Sequence, residues 1–272
     1  MTIRIDLRQQ FDAAVAHELD TLEPTIGPPL DEEAIAPLPD PVRRYLRETG
    51  ALGRPAPQSM RVEFDAAMRR APGARPMRST SVQYNLFDRP TRLFLMDARM
   101  FGLPVRALHL YREEHATFRV RVASLVDMVD LSGSEISRAE TVTVLNDMCV
   151  LAPGALVDPR LAWDAVDDRS ARVTFTNGPH TVAATLVFGD DGLLADFWSD
   201  DRPDSSTGTF VPMRWRTPLA GYRPMADGVR VATQGSALYE RPDGPFAYGE
   251  FTLRSLAYDV HDTRTPQVND AR

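Results

Sequence analysis

Eleven stretches that read as β-strands, broken once by an apolar helix near Glu140 to Leu151, constrain this chain more than any other feature. Met60 to Arg70, Met77 to Phe87, Thr91 to Phe101, Leu103 to Arg112 and His115 to Leu125 are separated by APGAR, DRP, GLP and REEH. Such short connections, rich in Gly, Pro and charge, mark turns. After the helix come Ala171 to Thr176, Thr181 to Phe188, Leu193 to Asp200, Phe210 to Gly221, Val229 to Tyr239 and Phe246 to Val260. Asn177-Gly178, Asp191-Gly192, Asp227-Gly228 and Asp243-Gly244 supply residues that tolerate positive φ. Strands joined by turns this short must be antiparallel neighbours. The expected fold is mainly β (α+β): one strongly curved antiparallel half-barrel sheet of about eleven strands, with the helix of residues 137–151 on its concave face.

A helical arm precedes the sheet. Leu7, Phe11, Val15 and Leu19 form one apolar stripe behind an Asp6 and Gln9 capping box. Asp40-Pro41 opens a second short helix, with Val42, Tyr45 and Leu46 on its apolar side and Gly50 at its end. Glu23 to Pro39 between them reads as a linker. The expected organisation is an arm and linker at 1–58, the β domain at 59–260 and a disordered tail at 261–272.

Composition removes several function classes. The chain carries 31 basic and 38 acidic residues, net −7, and every basic residue is Arg. An acidic chain with scattered Arg argues against a nucleic-acid partner. No run reaches the roughly 20 apolar residues of a membrane helix, and MTIRIDLRQQF lacks an apolar signal core, so a cytoplasmic location is expected. Cys149 is the one cysteine, buried in the apolar helix as a small inert hydrophobe. No nucleophile elbow, phosphate loop or metalloprotease helix occurs. His109 and His115 lack a third ligand at familiar spacing, so neither a metal nor a cofactor is expected.

The helix carries the strongest polar signal. Ser137 and Glu140 form a capping box at its start, and Pro153-Gly154 stops it. Glu140, Thr143 and Asp147 recur at three and four positions and so form one line. The ordinary reading places that line in solvent, with Glu140 spent on the cap. The alternative has both carboxylates facing one ligand as a general acid or base.

Other candidates surround a cavity. Phe94, Met96, Ala98 and Met100 share a strand face, and the next strand offers His109 and Tyr111. Met suits an adaptable apolar wall. Met128, Met148, Trp163, Trp198, Trp215 and Tyr222 complete the expected lining, with Asp200 and Arg202 at its rim.

LPDPVRRYLRETG, FDAAM, RPTRLFLMDARMFGLPVRALHLY, AETVTVLNDMCVLAPGAL, FWSDDR and WRTPLAGY together resemble an uncharacterised bacterial family of unknown function, over about Leu38 to Val260. The resemblance carries over no catalytic residue. The strand series with one helical insertion is also similar to lipoprotein-carrier half-barrels, in which a sheet and a helical lid enclose acyl chains. The chain departs from those carriers in lacking a signal peptide or lipid-attachment cysteine. The expected function is binding or carriage of an apolar small molecule, such as a lipid, isoprenoid or polyketide. The alternative is an isomerase or cyclase acting on such a molecule.

Overall fold

The computed structural model describes residues 6–123, 126–205 and 209–262. The predicted strand end at Leu125 and all but the first two residues of the predicted tail lie outside these. Helices α1 (Leu7–Asp20), α2 (Glu32–Ile35) and α3 (Asp40–Glu48) come first. Strands β1 (Ser59–Met68), β2 (Met77–Leu86), β3 (Thr91–Met100), β4 (Leu103–Arg112), β5 (His115–Val122) and β6 (Val126–Ser132) follow, then α4 (Ser134–Leu151). Strands β7 (Leu161–Asp167), β8 (Ser170–Asn177), β9 (His180–Phe188), β10 (Leu194–Ser199), β11 (Trp215–Pro224), β12 (Arg230–Arg241) and β13 (Gly244–Tyr258) complete the series.

All thirteen strands form one antiparallel sheet in the order β6-β5-β4-β3-β2-β1-β13-β12-β11-β10-β9-β8-β7. The pairing of β1 with β13 joins two meanders, so the chain leaves and returns at the sheet's centre. The count exceeds the expected eleven by β6 and β7, which flank α4 and form the two open edges. Both carry aspartates, Asp127 and Asp130 on β6 and Asp164 and Asp167 on β7. Charge on an edge strand discourages pairing with another chain, and it also weakens the strand pattern.

Helix α4 touches β5 and β6 from one end of the sheet and β9, β10 and β12 from the other, which places it in the hollow of a curved, unclosed sheet. The edges approach each other at one end of that hollow. There Tyr111 of β4 shares a 2.9 Å hydrogen bond with Thr141 of α4 and accepts one of 2.8 Å from Asn177 of β8. Every α4 residue from Ala139 to Leu151 is buried. Val142, Leu145 and Met148 pack with Met60 and Val62 of β1 and with Val173, Leu186 and Phe197 from the far half. Helix α3 joins the same core: Tyr45 donates a 3.0 Å hydrogen bond to the Cys149 carbonyl. Helix α1 lies on the outer face, where Phe11, Val15 and Leu19 cover Tyr84, Leu93, Leu95 and Leu108.

Two details of α4 differ from expectation. It starts at Ser134 behind Gly133, which sits at φ 111. Ser137 is a turn inside, where its hydroxyl accepts the Ala116 backbone N–H at 2.9 Å and so ties the helix to β5. Glu140 therefore caps nothing.

Candidate functional site

The polar line of α4 faces the sheet. Glu140 is 2 % exposed and Asp147 7 %, so the solvent-facing reading is overturned. Two buried carboxylates need partners, because an unpaired charge at low dielectric is strongly unfavourable. The concave faces of β2, β3 and β4 supply them. Strand alternation puts Gln83 and Asn85, then Arg92, then His109 on the side that carries Phe94 and Met96. Arg92 donates to Asp147 Oδ2 at 2.8 Å, to Gln83 Oε1 at 2.9 Å and to Glu140 Oε2 at 3.4 Å. Gln83 and Asn85 donate to the same Asp147 oxygen at 2.8 and 3.1 Å.

Arg202, from the loop after β10, closes the cluster from the other half of the sheet. It donates to Thr143 at 3.0 Å and to the Tyr239 hydroxyl at 2.6 Å, and its guanidinium lies 3.7 Å from Glu140 Oε1. Its planar group sits over the Trp215 ring at 4.6 Å, where the aromatic face attracts a cation. Trp215 donates to the Tyr248 hydroxyl at 3.0 Å.

Two guanidiniums thus offset two carboxylates, which leaves His109 no charge to balance. Its Nδ1 lies 3.2 Å from Glu140 Oε2. The ring stands edge-on to Phe118, with centroids 3.9 Å apart, and its buried Nε2 has no partner among the described residues. Burial lowers the His109 pKa against the pull of Glu140, so the imidazole is neutral near pH 7. Burial would raise the Glu140 carboxyl, but His109, Arg92 and Arg202 hold it well below the usual carboxylate range. Asp147 goes the other way, because burial outweighs Arg92.

A pH prediction follows from His109. The unfolded imidazole takes up a proton below about pH 6.5 while the buried one resists it. The unfolded chain then binds more protons, and stability falls as pH drops through that value. The urea midpoint of His109→Gln should fall less than that of the parent over the same interval. Equal slopes would remove His109 as the source.

The concave face continues past this cluster, and α4 does not fill it. Phe64, Phe94, Met96, Met100, Phe118 and Val120 are all only half-buried there. Ala66, Ala98 and Ala107 between them are small. The alternating residues Ser79 and Ser81 are buried, with hydroxyls that lack partners among the described residues. These side chains form a partly uncovered apolar stretch of the concave face, a shallow trough between the charged cluster and the end of the sheet away from the Tyr111–Asn177 contact. Two hollows, of about 520 and 890 Å³, lie beside Asp97; the larger is lined in part by Ala66, Ser79 and Ala98, and neither includes Phe94, Met96, Met100 or Phe118.

Residues 28–251 match a family of unknown function, DUF6544. The chain belongs to that family. No curated protein matches this DUF6544 member. Among solved structures it is similar to a domain provisionally described as an outer membrane lipoprotein-sorting protein, from Vibrio parahaemolyticus. That similarity has a TM-score of 0.46 at 8% identity and covers 83% of this chain and 94% of the other. It is also similar to a DUF1329 family protein from Desulfovibrio piger, with a TM-score of 0.44, 16% identity, and 81% and 92% covered.

The remaining residues singled out from sequence are dispersed over the DUF6544 fold. Met148 is in the packed core, and Tyr111 is held at the closed end. Trp163 donates to the Leu156 carbonyl at 3.3 Å, far along the sheet, and Tyr222 donates to the Leu194 carbonyl at 2.9 Å. Trp198 and Asp200 lie on the outer face with Arg214, which pairs with Asp200 at 2.9 Å and stacks on the indole. Met128 is exposed on the β6 edge. Sequence reasoning missed Gln83, Asn85, Arg92 and Tyr239. Arg92 was within reach, since it shares the alternation of Phe94, Met96 and Met100.

Proposed function

We propose that this DUF6544 protein binds an apolar small molecule, of lipid, isoprenoid or polyketide type, in the concave trough. The observation that carries the reading is the row of half-buried Phe and Met side chains on a face that its own helix leaves uncovered. A pocket with apolar walls and a few convergent polar groups is the usual form of a small-molecule site. The charged cluster then meets the ligand's polar end. Asp200, on the opposite face, takes no part.

One feature favours a second reading, an enzyme on the same molecule. Glu140 is held by Arg92, Arg202 and His109, whereas the donors to Asp147, from Arg92, Gln83 and Asn85, all converge on its Oδ2. His109 has Nδ1 against a carboxylate and Nε2 without a partner among the described residues, the arrangement of a general base. Turnover of a bound ligand that disappears in His109→Gln would select this reading.

Binding is tested by melting temperature with a panel of fatty acids, isoprenoids and aromatic polyketides. A ligand present at 100 times its Kd stabilises by about 2.7 kcal/mol. Met96→Ala and Met100→Ala should weaken the response several-fold, whereas an outer-face Trp198→Ala should leave it unchanged. If no compound raises the melting temperature, the binding reading fails.

A further inference from the structure

The open end of the trough carries a group of exposed apolar side chains. Phe101 is 96 % exposed, Met128 60 %, Val126 56 % and Leu103 51 %. They come from the β3–β4 turn and from the start of β6, which register places side by side: Met100 pairs with Leu103, Val105 with Val122 and Val122 with Val126. Phe101 is also in an unfavourable conformation. Its φ of 52 puts an aromatic residue in the left-handed region, followed by Gly102 at φ 81. A two-residue hairpin turn of this kind normally takes Asn or Asp before Gly. A bulky residue that is both strained and fully in water indicates a role outside folding.

The two turns at this end, β1–β2 and β3–β4, carry charge opposite to that of the whole chain, while Asp127 of β6 and Glu250 of β13 beside them are paired with Arg121 and Arg69. Residues 66–78, around the β1–β2 turn, hold four arginines and no acid, and residues 98–106 hold two arginines and no acid. Of these, Arg70, Arg75, Arg78 and Arg99 are exposed, and none makes an ion pair with a described residue. Against a net charge of −7, this is a local cationic rim around an apolar tip.

We propose that the open end docks on an anionic lipid bilayer, with Phe101 and Leu103 entering the headgroup region and the four arginines facing acidic headgroups. Apolar insertion combined with cationic attraction is the physical basis of reversible surface binding. Among the described residues no helix is long and apolar enough to cross a membrane, so the contact is peripheral. Docking sets the trough mouth against the bilayer, but the rim would bind lipid whether or not the trough holds a ligand.

The test is flotation of the full chain with vesicles of phosphatidylcholine alone or mixed with phosphatidylglycerol. Binding is expected to the mixed vesicles only, and to weaken as salt rises. Each arginine removed should cost about fivefold in affinity, so Arg70→Ala with Arg75→Ala should lose about 25-fold. Phe101→Asn relieves the turn strain and should melt no lower than the parent, yet it should lose most of the vesicle binding. Failure to float with either vesicle would overturn the proposal. So would a concentration-dependent dimer that Phe101→Asn abolishes, since the rim would then be an interface between copies.

Discussion

Replacing Arg92 by Ala should destabilise the fold by about 3–5 kcal/mol, because it strips a buried partner from two carboxylates at once. Arg92 is the group that reaches both Asp147 and Glu140 from the sheet. Without it Asp147 keeps the Gln83 and Asn85 amides but no adjacent cation, and its carboxyl, already raised by burial, should be raised further. The prediction has an internal control. Asp147→Asn should recover much of the loss in the Arg92→Ala background, since a neutral amide needs no counter-charge. The coupling of the pair in urea unfolding should then reach 0.5–3 kcal/mol, about the range seen for directly contacting residues. Additive losses would show that Arg92 acts on something other than this carboxylate.

Ala98→Phe should abolish ligand binding while leaving stability nearly unchanged. Ala98 lies on the concave face between Ser79 of β2 and Val105 of β4, beside Met96 and Met100. Where a core is already filled, a larger side chain forces strain of about 1–3 kcal/mol. In an unfilled trough the new ring occupies the space meant for ligand and buries apolar surface of its own. Met148→Ala makes the contrast. That side chain is enclosed in the core, so its removal should cost about 2–5 kcal/mol without touching the trough. Ligand response and melting temperature should therefore separate in the two variants, and a large loss of stability in Ala98→Phe would mean the trough is packed.

Local chemistry made much of the fold legible. The turns at Asn177-Gly178, Asp191-Gly192 and Asp227-Gly228 need left-handed residues, and Gly178, Gly192 and Gly228 adopt positive φ there. The strands missed were the edges, β6 and β7, whose aspartates suit an unpaired border and weaken the apolar alternation. For the candidate site, the Glu140, Thr143 and Asp147 line could be read from helical spacing. Its direction could not, because spacing places residues on one face without saying what that face meets. That depended on Arg92, Gln83 and Asn85 arriving from strands 55 to 64 residues away in sequence. Trp198 and Asp200 show the complementary limit. Alternation grouped them on one face correctly, but only the sheet's curvature decides which face is inside.

The trough reading is tested most directly by mass spectrometry of organic extracts from the purified parent and from Ala98→Phe, after both are incubated with the lipid, isoprenoid and polyketide panel and washed. The parent should retain an apolar compound in near-equal molar amount, and Ala98→Phe should retain none. Retention by neither protein, or equally by both, would contradict the concave trough as the binding site.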